Sequence, residues 1–169
     1  MTSPLLIHST GAGSTQDLGR TIGEQASAGD VFLLTGQLGA GKTCLTQGIA
    51  MGLEVVGYVR SPTFVLMTRH QGRLTLHHID LYRMGSPAEA WDLGLDEQLF
   101  GEGVCVIEWA DRAAEIFPED CLWIDLDYGQ DPETRNISLE PGVDVEKSRF
   151  KTLLDSLAKK AASNKSPLS

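Results

Sequence analysis

Cysteine is scarce in this chain and poorly placed for structural chemistry. Cys44, Cys105 and Cys121 are odd in number and form no C-x-x-C pair, so neither a disulfide framework nor a zinc site is suggested. Such usage fits a reducing compartment. Long apolar runs are also missing. None approaches the roughly 18–20 residues needed to span a bilayer. The opening MTSPLLIHSTGAG has neither a charged n-region nor a long apolar h-region, so the expectation is a soluble, cytoplasmic protein with no membrane association. Basic residues are the minority, 14 against 23 acidic, for a formal net charge of -9. This argues against a broad electrostatic surface for nucleic acid, so any RNA contact would be local or made through a partner. The imbalance is uneven, because residues 143–169 hold six basic and three acidic side chains. That basic tail reads as a solvated helix end, with an acidic partner or RNA as the alternative.

What the chain does contain is a phosphate loop. Gly36 to Thr43 read GQLGAGKT, a complete G-x-x-x-x-G-K-[ST] pattern, directly after the apolar run Val31-Phe32-Leu33-Leu34-Thr35. Glycines let successive backbone N–H groups turn inward around an anion, and the following helix directs its positive dipole end at the same point. Lys42 can then reach the β- and γ-phosphates of a nucleotide, and the Thr43 hydroxyl can ligate Mg²⁺. No N-K-x-D motif follows; Asn164-Lys165-Ser166-Pro167 lacks the acid that guanine recognition needs. Adenine, hence ATP, is the better fit.

At 169 residues and 41% hydrophobic content the chain suits one domain with a real core. Pro4 to Ser9 reads as a strand, and Ser14-Thr15-Gln16-Asp17 as a helix start before Leu18, Ile22 and Ala26 recur at helical spacing. A second helix is expected over Lys42 to Leu53. Gly57 and Ser61-Pro62 mark irregular backbone beyond it. Phe64 to Arg69 and Leu74 to Ile79, separated by His70-Gln71-Gly72-Arg73, read as a β-hairpin. A capping box at Ser86-Pro87-Ala88-Glu89 opens a helix that breaks near Gly94 and resumes at Asp96. Val104 to Ile107 is a strand, Ala110 to Phe117 a short helix stopped by Pro118, Leu122 to Tyr128 a strand, and Asn136 to Leu139 the last strand. From Val143 onward Phe150, Leu153, Leu154 and Leu157 define an amphipathic helix, with Ala162 to Ser169 expected to fray. The sum is an α/β, P-loop NTPase-like three-layer sandwich: a mixed sheet with parallel central strands and an antiparallel hairpin, residues 1–142 forming the ATPase domain and 143–169 a C-terminal helix and tail.

A phosphate loop needs a carboxylate near the magnesium, usually at the C-terminal end of a neighbouring strand. Asp80 after LTLHHI and Glu108 after VCVI both qualify. Each could coordinate magnesium, directly or through water, or orient the attacking water; the alternative is a buried strand-end acid capping a helix. Thr63, in Arg60-Ser61-Pro62-Thr63-Phe64, sits where nucleotide switches place a hydroxyl that senses the γ-phosphate, or else merely caps the next strand. His77 and His78 are adjacent on a strand and face opposite sides of the sheet, so they cannot chelate one ion together; packing or hydrogen bonding is expected of them. Trp109 is either a lid over the site or a core aromatic, and base rates favour the core. No arginine finger is obvious among Arg60, Arg83, Arg112 and Arg135.

GQLGAGKT, Ser61-Pro62-Thr63-Phe64, His78-Ile79-Asp80-Leu81-Tyr82-Arg83 and Ile107-Glu108-Trp109-Ala110, in this order, closely resemble the bacterial ATPase family TsaE (formerly YjeE). The resemblance spans about residues 5 to 140. It implies a Mg²⁺-dependent ATPase in tRNA threonylcarbamoyladenosine modification at position 37, working with TsaB and TsaD, weak alone and stimulated in their complex, and meeting tRNA only through that complex. By motif, Gly36, Leu38, Gly39, Ala40, Gly41, Lys42 and Thr43 would bind the phosphates and Thr43 and Glu108 would hold Mg²⁺. Asp80 would be needed for hydrolysis together with Lys42, Thr63 would lie in the first switch segment, Trp109 would neighbour the site, and Arg135 would contact the adenine end. Gln37 stands where the family often has an acid, and Ala110 where proline is common; neither is a phosphate or metal ligand. Two other classes compete. A small-molecule kinase would need a lid with paired arginines, and no R-x-x-R follows the central helix. A nucleotide-gated binding module with incidental hydrolysis is the third reading.

Overall fold

The structure, a computed structural model, describes residues 4–57, 59–60, 67–92, 94–99 and 101–164. One seven-stranded sheet runs in the order β1-β7-β6-β2-β5-β4-β3. The strands are β1 (Leu5–Ser9), β2 (Val31–Gly36), β3 (Met67–His70), β4 (Leu76–Asp80), β5 (Val104–Glu108), β6 (Leu122–Tyr128) and β7 (Arg135–Pro141). β6, β2, β5 and β4 are parallel, and β3 pairs antiparallel with β4, as the hairpin pattern predicts. The opposite edge is antiparallel too: β7 pairs with β6 on one side and β1 on the other. This double pairing explains why the last strand is longer than Asn136 to Leu139.

Alternation along the central strands divides their side chains between two cores. Phe32 and Leu34 join the core beneath the helices α1 (Ala12–Gln25), α2 (Lys42–Gly52) and α5 (Lys151–Asn164), while Val31 and Leu33 join the opposite one. That second core lies under α4 (Leu95–Leu99) and a 3-10 segment over Ala110–Ile116, and α3 (Pro87–Asp92) runs beside these two. Strands buried on both faces explain the near-continuous apolar runs in the sequence. Cys105 and Cys121 are buried in this second core, and burial pushes their thiols up to about 12 and about 11. Among the described residues no helix is long and apolar enough to cross a membrane.

Helix boundaries depart from expectation at three places. α1 begins at Ala12, not Ser14; its N-cap is Gly11, and no side chain caps it. Ser9 Oγ instead donates to the Gly11 carbonyl at 2.9 Å and meets Thr15 Oγ1 at 2.7 Å, so hydroxyls tie the strand end to the first turn. The C-terminal helix starts at Lys151 rather than near Val143. It is preceded by a 3-10 turn, Val145–Lys147, whose Asp144 cap accepts from the Glu146 N–H. Asp120 holds the break between them, accepting from Ser148 Oγ and the Arg149 N–H, both at 2.7 Å. Arg149 pairs with the buried Asp30 at 2.9 Å, and Phe150 meets Phe32 with ring centroids 5.5 Å apart. The helix also continues through Ala162 to Asn164, where fraying was expected; residues 165–169 lie outside the described residues. The strand expected from Phe64 is described only from Met67.

α1 and α2 cross with their backbones in contact. Gly19 and Gly23 face Gly48 and Gly52, all four buried. A Cβ on Gly19 would stand 2.3 Å from the Leu45 carbonyl oxygen, and one on Gly48 would stand 2.1 Å from that of Gln16. Gly48→Ala should therefore push the helices apart and lower stability by about 1–3 kcal/mol, as overpacking does. Gly13→Ala, in the same α1 but with nothing within 4 Å, should be neutral or slightly stabilising. Chemical denaturation of the two variants checks this, and equal midpoints would contradict the crossing.

Candidate nucleotide site

The phosphate loop joins the C-terminal end of β2 to the N-terminus of α2. Gly39 and Gly41 hold the left-handed backbone that turns it, with φ of 82° and 108°, a region a side chain rarely tolerates. Gly41 is the N-cap of α2, and no side chain caps it, so the first-turn N–H groups are available to an anion. Lys42 Nζ lies inside the loop. It donates to the Gly36 carbonyl at 2.6 Å and the Gln37 carbonyl at 2.9 Å, and stands 3.9 Å from the centroid of the Trp109 ring. Burial lowers the Lys42 pKa, opposed by the negative charges of Glu108, Asp80, Asp111 and Asp125.

Strand register brings the carboxylates to this loop. Asp80 and Glu108 are register partners at the ends of β4 and β5, and Glu108 is in turn the partner of Leu34 on β2. Both acids are 2% exposed. Thr43 Oγ1, at the head of α2, donates to Glu108 at 3.0 Å from Oε1 and 3.3 Å from Oε2. His78 Nε2 lies 2.5 Å from Glu108 Oε2. Asp80 Oδ1 accepts from the Tyr82 N–H at 2.8 Å. Thr43, Asp80, Glu108 and Lys42 thus share one crevice at the carboxyl ends of parallel strands, the place where open α/β sheets bind ligands. Thr63 and the rest of 61–66 lie outside the described residues.

Trp109 packs against the second core, as expected, and also faces the site. Half-buried and in the left-handed region with φ 59° and ψ 38°, it forms a wall of the site. Tyr82 stacks on it at 4.8 Å between centroids, and the Arg112 guanidinium lies 5.7 Å from the Trp109 ring and 5.3 Å from that of Tyr82. Tyr82 and Arg112 entered the sequence reading only as parts of other patterns. The aromatic stack that joins them depends on the turn after β5, which no local motif announces.

Arg135 supports the loop from its other side. Nε donates to the Ala40 carbonyl at 3.0 Å and Nη2 to that of Gly39 at 3.2 Å, while the guanidinium stacks 4.5 Å from the Tyr128 ring centroid. Tyr128 in turn donates to the Leu38 carbonyl at 2.9 Å. Beside them a cavity of about 480 Å³ opens between the loop and the start of α1, with Gly11, Ala12, Cys44, Glu133 and Arg135 in its wall. That volume falls in the range of small-ligand sites.

The donor set suits a small hard cation. A threonine hydroxyl and a carboxylate are oxygen ligands of the kind Mg²⁺ takes alongside phosphates, and Thr43 and Glu108 are already within hydrogen-bond distance of each other. Among the described residues no cluster of three or more His, Cys, Asp or Glu is placed to hold a metal by itself. His77, on the opposite face to His78, joins no such cluster, and burial lowers its pKa.

Comparison with known proteins shows the family. The profile of the family described as threonylcarbamoyl adenosine biosynthesis protein TsaE matches residues 9–137. A protein of Treponema pallidum (strain Nichols) named tRNA threonylcarbamoyladenosine biosynthesis protein TsaE is 43% identical over 118 residues, covering 70% of this chain and 87% of its own. The protein of that name from Bacillus subtilis (strain 168) is 46% identical over 109 residues, covering 64% and 68%. The crystal structure of Bacillus subtilis YdiB superposes with a TM-score of 0.77 at 33% identity, over 95% of this chain and 97% of that one. On the strength of the profile and these relatives, the chain belongs to the TsaE family.

Proposed function

We propose that this chain is a Mg²⁺-dependent ATPase that acts as a nucleotide switch in the biosynthesis of threonylcarbamoyladenosine in tRNA, working with TsaB and TsaD. The observation that carries the reading is the contact between Thr43 Oγ1 and Glu108 at the head of the phosphate-loop helix, with Asp80 beside it in register. The family supplies the process, since the relatives bear its name. The acidic net charge of -9 favours docking on proteins over a broad RNA surface, so tRNA would be met through the complex.

In this reading the loop N–H groups and Lys42 bind the phosphates of ATP, and the cavity beside Arg135 takes the adenosine end. Thr43 and Glu108 hold the cation. Mg²⁺, when bound, neutralises phosphate charge and polarises the phosphoryl oxygens. Asp80, buried in the same crevice, orients the attacking water and accepts its proton. Trp109 and Tyr82 cover one side and keep bulk water from the Lys42 ammonium. Thr63 enters as the switch hydroxyl through the family resemblance alone.

ATP turnover measured with and without TsaB, TsaD and tRNA tests the role: weak activity that rises with the partners is expected. Robust phosphoryl transfer to a metabolite, indifferent to those proteins, would overturn it. Lys42→Ala removes a charge-assisted contact and should weaken binding of a fluorescent ATP analogue by about 10–100-fold. Asp80→Asn should keep that affinity within about threefold and cut turnover by about 10²-fold or more, as loss of a general base does. If Asp80→Asn turns over at the wild-type rate, Asp80 is only a strand-end acid that holds the Tyr82 N–H.

A further inference from the structure

His78 has no part in the reading above, yet its imidazole is fully buried at 0% exposure and points at Glu108. Its two nitrogens differ sharply. Nε2 lies 2.5 Å from Glu108 Oε2, whereas Nδ1 is buried with no hydrogen-bond partner among the described residues. Glu108 already accepts the Thr43 hydroxyl on both oxygens, so the carboxylate is the acceptor and His78 the donor. A lone pair without a partner costs less in a buried site than a stranded N–H, which places the ring proton on Nε2. His78 and Glu108 belong to adjacent parallel strands, β4 and β5, and His78 and Asp80 are two residues apart on the same strand. The period of two therefore turns both toward α2.

We infer that His78 is the positioning residue of the magnesium site: its Nε2–H clamps Glu108 Oε2 so that Oε1 is presented to Thr43 and to the cation those two residues hold. The inference rests on the proposed Mg²⁺-ATP reading. A carboxylate with both oxygens free to rotate about its last bond would have to be ordered by the cation itself, and that ordering would weaken binding. The clamp removes this cost in advance. Such outer partners of metal ligands are worth about 10–100-fold in metal affinity. Burial strengthens the clamp, because a carboxylate that is 2% exposed lies out of reach of bulk solvent and a lost donor is costly there.

The test is a Mg²⁺ titration of the binding of N-methylanthraniloyl-ADP to the full-length protein, for wild type, His78→Leu, His78→Asn and His78→Gln. Glutamine places an N–H donor near the Nε2 position; asparagine is too short to do so, and leucine has none. The half-maximal Mg²⁺ concentration should rise about 10–100-fold in the leucine and asparagine variants. It should return to within about threefold of wild type in the glutamine variant. A merely structural histidine would instead shift melting temperature without this split between Asn and Gln. Equal Mg²⁺ requirements in wild type and His78→Leu, or a Gln variant as impaired as Asn, would overturn the inference; if the leucine variant does not fold, the Asn–Gln comparison alone decides. Nucleotide binding by wild type that ignores Mg²⁺ altogether would overturn the proposed function itself, so the two failures are distinct. Nitrogen-15 spectra of the histidines provide a second readout: the Nδ1 resonance of His78 should be that of an unprotonated ring nitrogen, and an Nδ1–H form would contradict the clamp.

Discussion

The contact on which the rest of the structure depends is the crossing of α1 over α2, where Gly19, Gly23, Gly48 and Gly52 let two helix backbones touch. Each glycine in a helix interior costs about 1 kcal/mol relative to alanine, so Gly19, Gly23 and Gly48 destabilise the helices taken alone, Gly52 being the last residue of α2. The close approach offsets this by packing α1 flat against α2 over the sheet. Two consequences reach the site. The N-terminus of α2 is fixed in direction, which aims the open N–H groups of its first turn over the ends of β2 and β5. The N-terminus of α1 is brought beside the loop, so that Gly11 and Ala12 wall the cavity that Arg135 flanks.

The second determinant is parity in a parallel sheet. Leu34, Glu108 and Asp80 are successive register partners across β2, β5 and β4. Parallel strands end at the same side, and a two-residue period then decides which end residues face α2. Glu108, Asp80 and His78 do, whereas His77 and Ile79 face the other core. The desolvation that burial imposes on these acids is met by neighbours: Thr43 and His78 for Glu108, the Tyr82 N–H for Asp80.

Much of this was legible in the sequence, because strong local signals and global fold agree here. The phosphate loop, the central strands, the hairpin's second strand and the strand-end acids each follow from apolar runs, glycine placement and spacing. The start of α1 was not legible, because Ser14 looks like a cap while the tie between Ser9 and Thr15 forms only once β1 is in the sheet. Nor was the full length of β7, which needs partners on both sides. Trp109 packs against the second core, as an aromatic after an apolar strand generally does, while its left-handed backbone, visible only in three dimensions, also brings the ring to Lys42. Hydrogen bonding by His78 was legible, since strand parity forbids a metal pair with His77; its partner, Glu108, depends on the register of β4 against β5, which no local motif gives.

The cations around the loop are already committed. Arg135 spends its guanidinium on the carbonyls of Gly39, Ala40, Pro132 and Thr134 and on the face of Tyr128. Arg112 rests against Tyr82 and Trp109. Lys42 is the cation inside the loop, and its charge is opposed by burial and balanced by four acids. A left-handed tryptophan costs of order 1–3 kcal/mol, which the stack with Tyr82, Arg112 and the Lys42 ammonium offsets; withdrawing Arg112 from that stack would therefore release strain as well as a charge. Phosphoryl transfer needs positive charge at the transferring group, commonly worth 10³–10⁵ in rate when an arginine supplies it. A site whose arginines hold up the loop and the aromatic wall gains that charge only if something pulls one of them away or brings another. In the proposed function, docking of a partner protein would do either, which gives a physical reason to expect turnover to be weak in the isolated chain and tied to assembly.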